Sequence, residues 1–311
     1  MMNFNLVVRL LLVVSISSLF YSFTNIKEQP YVIVLGIAQD GGAPHAACDK
    51  VCCFDKWNNP NLHNKVSSIG IVDPISNEVW MVDASPDFAE QLHLLSNNNS
   101  RDLKGIFLTH AHIGHYTGLM YLGREGLGGK NIMVYALKRM ARFLTKNGPW
   151  DQLVKLNNIS IQTISNKEFV KLSENIFVIP IRVPHRDEYS ETVGYKIIGK
   201  SKKILFIPDI DKWDEWKKSI IEEVKLVDYA FIDGTFYNGS ELNRDMREIP
   251  HPSIEETLQL FSNQPLAERN KIYFIHINHT NPILTNKNGI RDLVESLGFN
   301  IAERGLKFKL D

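Results

Sequence analysis

Three histidines stand close together at residues 109–118, at the end of an apolar run. His110 and His112 are two positions apart, so their side chains point the same way in an extended or loop backbone. His115 follows where a helix could begin. Neutral imidazole is a common metal ligand, and this spacing lets the rings converge. A solvated histidine-rich turn is the alternative, but the chain has only ten histidines. We therefore predict that His110 and His112 share one metal ion.

Further candidate ligands follow other apolar runs. His185 ends IRVPH, Asp209 ends LFIPD, and KIYFIHINH carries His276 and His279. The carboxyl ends of strands in a layered α/β domain are where loops gather to build sites. Histidines with one aspartate are ligands that suit a first-row metal. A surface turn at His185 and a helix cap at Asp209 are the alternatives. Of the last two histidines, we expect one to ligate and the other to support it from behind or to face the substrate.

Strands and helices must position these residues. Eleven runs have strand length, and they begin at residues 31, 67, 78, 105, 131, 159, 175, 192, 203, 228 and 271. Helical patterns cover residues 86–95 behind a Ser85 cap, 137–145, 214–226, 253–261 and 290–297, and Ser253 with Glu256 has capping-box spacing. No low-complexity linker divides the chain. We predict one α/β domain over residues 28–311, with two sheets and outer helices.

The N-terminus reads differently from the rest. Residues 6–23 are apolar apart from Arg9 and a few serines, and the uninterrupted part is nearer in length to a signal-peptide core than to a membrane span. We predict that residues 1–27 are a signal peptide or an uncleaved membrane anchor, which would place the domain in the periplasm, outside the cell or at the membrane. The alternative is a buried N-terminal helix of the domain.

Charge and composition exclude some partners. Lysine plus arginine equals aspartate plus glutamate, at 35 each, so no net charge favours nucleic acid or an anionic membrane surface. The chain is long enough, and at 44% hydrophobic apolar enough, to bury a large core. We expect a small-molecule substrate, and contact with a membrane only through an N-terminal anchor.

The distributed ligand pattern resembles a known family. The order HAHIGH, His185, Asp209 and His276 is similar to the H-x-H-x-D-H, His, Asp, His signature of the metallo-β-lactamase superfamily. The resemblance implies a four-layered αββα sandwich from Tyr31 onward, with metals at one edge of its two sheets. GIAQDGGAPHAACDKVCC, VPHRDEYSETVGY, FIDGTFY and HINHTNPIL resemble most the branch of the pyrroloquinoline quinone biosynthesis protein B.

The same resemblance implies roles for single residues. The first metal would be held by His110, His112 and His185, both metals would be bridged by Asp209, and the second metal would be held by His115 and His276. Gly114 departs from the pattern, because it stands where the superfamily has its second-site aspartate. We therefore expect one metal, or a second site rebuilt with His279 or a water molecule.

Residues around the ligands have less defined roles. The resemblance implies that Asp83, at a strand end, supports the histidines from behind, since a metal-bound histidine needs an acceptor for its other N–H; an Asx turn is the alternative. Asp233 occupies a similar position. His251, beside the polar segment 239–250, could contact substrate or move protons, or could be a plain loop histidine. Arg186 could hold an anionic group or form a surface ion pair.

All three cysteines lie in one stretch. Cys52 and Cys53 are adjacent and are unlikely to bridge each other, and an odd number excludes a complete set of disulfides within the chain. We predict a structural zinc held by Cys48, Cys52 and Cys53, with His45 as one candidate for a fourth ligand. The branch relatives have a cysteine cluster at the same place. A disulfide to Cys48 is the alternative outside the cytoplasm.

The predicted activity is zinc-assisted hydrolysis, in which Asp209 orients the attacking water and takes its proton, and His251 is a second catalytic candidate. One alternative is an Fe²⁺-dependent oxygenase related to quinone-cofactor synthesis, because histidines with a carboxylate and open positions also suit non-haem iron. A second alternative is a non-catalytic metal-binding or scaffold protein, for which Gly114 is the main support.

Overall fold

The computed structural model describes residues 28–242, 245–285 and 287–311. The predicted signal peptide or anchor, residues 1–27, lies outside this part and stays a prediction. Within the described residues, no helix combines the length and the apolarity that a membrane crossing requires.

The first sheet has seven strands in the order β14-β1-β2-β3-β4-β5-β6. Their bounds are β1 Tyr31–Gly36, β2 Ser68–Asp73, β3 Glu78–Val82, β4 Asp102–Phe107, β5 Ile132–Ala136, β6 Ile159–Thr163 and β14 Lys307–Lys309. From β14 to β3 the neighbours are antiparallel, and from β3 to β6 they are parallel. The carboxyl ends of β3 and β4 therefore meet at one edge.

The second sheet repeats this arrangement in the order β13-β12-β11-β10-β9-β8-β7. Its strands are β7 Val170–Lys171, β8 Phe177–Arg182, β9 Val193–Ile198, β10 Lys203–Ile207, β11 Tyr229–Asp233, β12 Ile272–Ile275 and β13 Asn300–Ile301. Strands β10 to β13 are parallel to one another. The carboxyl ends of three neighbouring strands therefore lie side by side, namely those of β10, β11 and β12.

Helices of the described residues flank both sheets, and those that contribute to the two outer apolar clusters cover the outer faces. The described helices are α1 Val51–Trp57, α2 Phe88–Leu95, α3 Ile113–Tyr116, α4 Lys138–Lys146, α5 Trp150–Lys155, α6 Ile220–Lys225, α7 Ile254–Leu260, α8 Leu266–Arg269 and α9 Ile290–Ser296. Short 3-10 helices occur at Pro60–Leu62, Thr117–Leu122, Trp213–Glu215, Gly239–Glu241, Met246–Glu248, Pro282–Leu284 and Lys287–Gly289.

Three apolar clusters separate four layers. Alternate residues of β1 point to opposite faces of the sheet. Val32 and Val34 belong to the cluster between the two sheets, whereas Ile33 and Leu35 belong to a cluster with α2 and α4. The third cluster packs α6, α7 and α9 on the outer face of the second sheet. The predicted αββα sandwich is confirmed, and inner strands such as β1 and β2 are buried on both faces.

Local signals explain the helix boundaries. The predicted capping box is present at α7, where Ser253 accepts from Glu256 N and the Glu256 side chain accepts from Ser253 N. The predicted helix over residues 214–226 is wrong in length. Ser219 caps a new helix there by accepting from Glu222 N, so α6 is short. Ser85 does not cap α2 either, because the helix begins at Phe88 behind Asp87; the Ser85 hydroxyl accepts from Asp87 N and donates to Gln91 Oε1.

Candidate metal centre

The predicted ligands lie together at the edge where the strands of both sheets end. His110 follows β4, His185 follows β8, Asp209 follows β10 and His276 directly follows β12. Asp233 is the last residue of β11. Because β10, β11 and β12 are parallel neighbours, their ends bring Asp209, Asp233 and His276 to the same place.

Asp209 is the centre of the cluster. Its carboxylate is 2% exposed, and a nitrogen of each of six histidines lies within 3.9 Å of one of its oxygens. The distances are 3.2 Å to His110, 3.9 Å to His112, 3.8 Å to His115, 3.3 Å to His185, 3.3 Å to His251 and 3.9 Å to His276. A carboxylate so placed can serve ligand sets on both of its sides.

The first ligand set consists of His110, His112, His185 and Asp209, whose ligand atoms all lie within 4.8 Å of one another. His110 Nε2 is 2.9 Å from His112 Nδ1. His112 turns its other nitrogen towards Glu188 Oε2, at 3.2 Å. The predicted first site is therefore assembled as a compact group of four candidate ligands.

The second ligand set consists of Asp40, His115 and His276, also within 4.8 Å of one another. Asp40 Oδ1 is 3.3 Å from His115 Nε2 and 3.9 Å from His276 Nε2. The expectation that His279 rebuilds this side is wrong, because His279 lies with the cysteines; the carboxylate here comes from Asp40. Asp40 comes from the loop after β1, far from the histidine motif.

Buried acceptors orient the candidate ligands from behind. Asp83 Oδ2 is 2.7 Å from His115 Nδ1, Asp211 Oδ1 is 3.0 Å from His185 Nδ1, and Thr235 Oγ1 is 2.9 Å from His276 Nδ1. Such partners fix which ring nitrogen of a histidine is free for a metal. Asp83 and His276 also have positive φ values, +67° and +62°, which non-glycine residues adopt at a cost in free energy.

The charges in the cluster depend on this geometry. Burial and the neighbouring His115 lower the pKa of His110 well below its usual range. Burial also lowers the pKa of His115, but Asp83 and Asp40 outweigh it and hold this pKa well above its usual range. Burial raises the pKa of Asp209, yet the surrounding histidines, led by His185, hold it well below the ordinary value. The carboxylates thus favour the charged form of His115, whereas burial favours the neutral form of His110.

His251 lies at the same edge and is 4% exposed. Its Nδ1 is 2.8 Å from Asp233 Oδ2 and 3.3 Å from Asp209 Oδ1. Burial lowers the pKa of His251, but Asp233 and Asp209 outweigh it and raise the pKa to about 9. His251 and Asp233 therefore form a buried pair in which the imidazole is held charged.

The buried polar atoms of the cluster show that it is suited to bind metal ions. Asp40 Oδ1, His115 Nε2, His185 Nε2, Asp209 Oδ1 and His276 Nε2 are buried and have no hydrogen-bond partner among the described residues. A buried polar atom without a hydrogen-bond partner lowers the stability of the folded protein, and metal ions bound to the two ligand sets would provide the missing partners. Ligands at about 2.0–2.2 Å from zinc stand roughly 3.3–3.6 Å apart in a tetrahedron. The observed separations are close to this range.

The three cysteines form a separate group with His279, again within 4.8 Å. They are free thiols, with Cys48 Sγ 3.8 Å from Cys52 Sγ and Cys52 Sγ 4.0 Å from Cys53 Sγ. The candidate fourth ligand His45 is outside this group, and its ring stacks on that of His279 at 4.4 Å between centroids. The loop after β12 thus supplies the histidine that the local spacing did not reveal.

Sequence reasoning missed several residues of the site. Asp40 had only one signal, an aspartate directly before two glycines after a strand. Asp211 and Thr235 follow Asp209 and Asp233 by two residues, a repeated spacing at strand ends that could have pointed to supporting acceptors. Arg186 is not at the ligands; its Nε lies 3.8 Å from Glu188 Oε1 at the exposed rim.

Comparisons with known proteins agree with this geometry. The sequence profile of the β-lactamase superfamily domain matches residues 80–277. The chain is 26% identical to a coenzyme PQQ synthesis protein B of Methylorubrum populi, over 90% of this chain and all of that protein. It is also 26% identical to the Gluconobacter oxydans protein of the same name, over 90% and 98% of the two chains.

Solved structures show the same fold. The crystal structure of Zn²⁺-bound PqqB from Methylobacterium extorquens has a TM-score of 0.73 at 22% identity, covering 90% of this chain and 100% of that chain. A diphosphatase of the PhnP family has a TM-score of 0.65 at 20% identity, covering 90% and 97%. The chain belongs to the metallo-β-lactamase superfamily, with coenzyme PQQ synthesis protein B among its distant relatives.

Proposed function

We propose that this protein is a zinc-dependent hydrolase of a small-molecule substrate, with two metal ions at the strand edge. The observation that carries the proposal is the convergence of six histidines, five of them buried, on Asp209, with five polar atoms at this edge that have no hydrogen-bond partner among the described residues. One ion would be held by His110, His112 and His185, with Asp209 between this set and the second ion. His115 and His276 would hold the second ion.

Zinc held there would lower the pKa of a bound water towards about 7 and polarise the bond to be cleaved. Asp209 has the position to orient that water, because Oδ1 lies beside His185 and Oδ2 lies between His110 of the first set and the second-set histidines. The same carboxylate can accept the proton of the attacking water. Most of the cluster is buried, and it is partly exposed at His112 and Asp40, whose side chains are 17% and 28% exposed.

His251 is the candidate general acid. The carboxylate of Asp233 holds its Nδ1 side, fixing the ring and its charge. A charged imidazole beside the cluster can give a proton to the leaving group, a contribution of about 100-fold to 10,000-fold in rate for general acid catalysis. Its ring centroid lies 5.6 Å from that of His185 and 6.0 Å from that of His276, adjacent to both ligand sets.

We also propose one structural zinc held by Cys48, Cys52, Cys53 and His279. Three thiols and an imidazole are a common ligand combination for a closed tetrahedral site. The unpartnered, buried Nδ1 of His279 supports this assignment. The predicted disulfide alternative would be supported instead by a Cys48 disulfide in the unreduced protein, seen by mass spectrometry.

The function is tested by metal analysis and turnover on the same preparation. The protein is purified anaerobically, its zinc and iron are quantified, and it is offered ester, lactam and phosphodiester substrates while oxygen consumption is recorded. We expect zinc, and cleavage of one substrate class without oxygen uptake. Iron with oxygen consumption would replace the hydrolase by an oxygenase. Metal-replete protein inactive on every class would support a binding protein.

A further inference from the structure

Gly114 takes the place of a metal-binding aspartate, yet the space beside it is not open. A Cβ atom built on Gly114 would lie 2.2 Å from Asp40 Oδ1 and 2.6 Å from Asp40 Cα. Real Cβ atoms do not approach other heavy atoms so closely. The loop of Asp40 therefore fills the volume that a side chain at position 114 would need.

The carboxylate of Asp40 is aimed at two candidate ligands. Its Oδ1 lies 3.3 Å from His115 Nε2 and 3.9 Å from His276 Nε2. Although the side chain is 28% exposed, Oδ1 itself is buried, and none of these three atoms has a hydrogen-bond partner among the described residues. Three unpartnered atoms facing one point are the arrangement expected around a cation.

We propose that Asp40 supplies the second-site carboxylate that Gly114 lacks, so that the second metal is held by Asp40, His115 and His276 with Asp209. The proposal rests on the proposed function and adds a ligand to it. It retains the negative charge of the second site, but delivers it from the loop after β1 rather than from the histidine motif.

The backbone around Asp40 is fixed for this role. Ile37 and Ala38 N both donate to Lys65 O, at 2.8 Å. Gln39 N donates to Ile277 O at 2.9 Å, and Ile277 N donates to Ile37 O at 2.7 Å. These bonds tie the loop directly to the residue after His276. Both ligands are thus held by one paired segment, and little ordering remains for metal binding to impose.

A competing ligand set shares His276 and must be distinguished. Asp209, Asp233, His251 and His276 also lie within 4.8 Å of one another. Asp233, however, accepts bonds from Thr235 N and Thr235 Oγ1, and its other oxygen lies 2.8 Å from His251 Nδ1. The oxygens of Asp233 and the Nδ1 of His251 are therefore already engaged in hydrogen bonds. Asp40 Oδ1 has no such partner within the part of the chain that the structure describes, so the structure favours Asp40.

The test compares Asp40→Ser with Asp40→Cys, two side chains of nearly equal size of which only the thiolate binds zinc well. Asp49→Asn is the control, since Asp49 is exposed and lies in the same segment. Zinc per chain is measured after dialysis, and the affinity of the weakest site by chelator competition, with unfolding temperatures recorded. A Gly114→Asp exchange is unsuitable, because its Cβ would collide with the Asp40 backbone.

We expect three zinc ions in the wild type and in Asp49→Asn, two in Asp40→Ser, and three in Asp40→Cys. Affinity of the second site should fall at least about 100-fold in the serine variant. Three tightly bound ions in Asp40→Ser would overturn the proposal while leaving the hydrolase intact. Loss of the second ion in His251→Gln but not in Asp40→Ser would overturn it in favour of the competing set. A wild type without any metal at the strand edge would refute the proposed function as well.

Discussion

The metal cluster has two halves, the first ligand set around His110, His112 and His185 and the second around Asp40, His115 and His276, which meet at Asp209. They differ in how the sequence encodes them. His110, His112 and His185 each follow an apolar run, and the order of the motif is visible in the chain. On the other side, Asp40 meets His276 through a loop contact between opposite ends of the chain. Strand ends thus reveal ligands by pattern, whereas ligands delivered by paired loops emerge only from the fold.

The largest effect is expected where the halves meet. Asp209→Ala should release both ions of the strand edge, because each half uses this carboxylate. Loss of several kcal/mol of transition-state stabilisation corresponds to roughly a ten-thousandfold fall in kcat/KM. Zinc analysis should show one ion remaining, at the cysteines. Retention of one ion at the strand edge would show that the first half is independent of Asp209.

His251 should act on chemistry in both halves without binding metal. His251→Gln is expected to lower kcat by about 100-fold or more, as for loss of a general acid, with zinc content unchanged. His93→Gln, at an exposed position, is the control. A substrate with a leaving group that needs no proton should be affected less. Equal losses for good and poor leaving groups would contradict the acid role.

Substitutions of the two supporting carboxylates, Asp211 and Asp83, should each weaken a different metal site. Asp211 contacts His185 of the first half and Asp83 contacts His115 of the second. Asp211→Asn should weaken the first ion and Asp83→Asn the second, each by about 10-fold to 100-fold in affinity. Asparagine also tolerates the positive φ of residue 83. Two-site chelator titrations would measure both; the same site weakened in both variants would contradict the division.

The cysteine cluster should affect turnover least. Cys52→Ala is expected to lose the zinc ion of the cysteine cluster. Its free energy of unfolding should fall by about 3 kcal/mol, which is the stabilisation by a ligand present far above its Kd. Because Cys48 and His279 lie in the two loops that carry Asp40 and His276, any change in metal affinity should fall on the second half. Val51→Ala, at a residue 93% exposed, is the control. An unchanged unfolding temperature would argue against a structural zinc.

Most of the strands could be predicted from the sequence, but some of the ligands could not. All eleven predicted strands exist, since continuous apolar runs mark strands buried on both faces. The three others, β7, β13 and β14, are two or three residues long and add no periodicity to detect. His45 was the nearest histidine to the cysteines along the chain, but His279 is the one that reaches them through space. Local spacing cannot distinguish such neighbours.

The central claim is that two metal ions lie at the strand edge. Crystals of the zinc-loaded protein, measured above and below the zinc absorption edge, would locate every bound ion by anomalous scattering. We predict two peaks flanking Asp209, one of them beside Asp40, and a third peak among the cysteines and His279. A single peak on the side of His110, His112 and His185, with none near Asp40, would contradict the account.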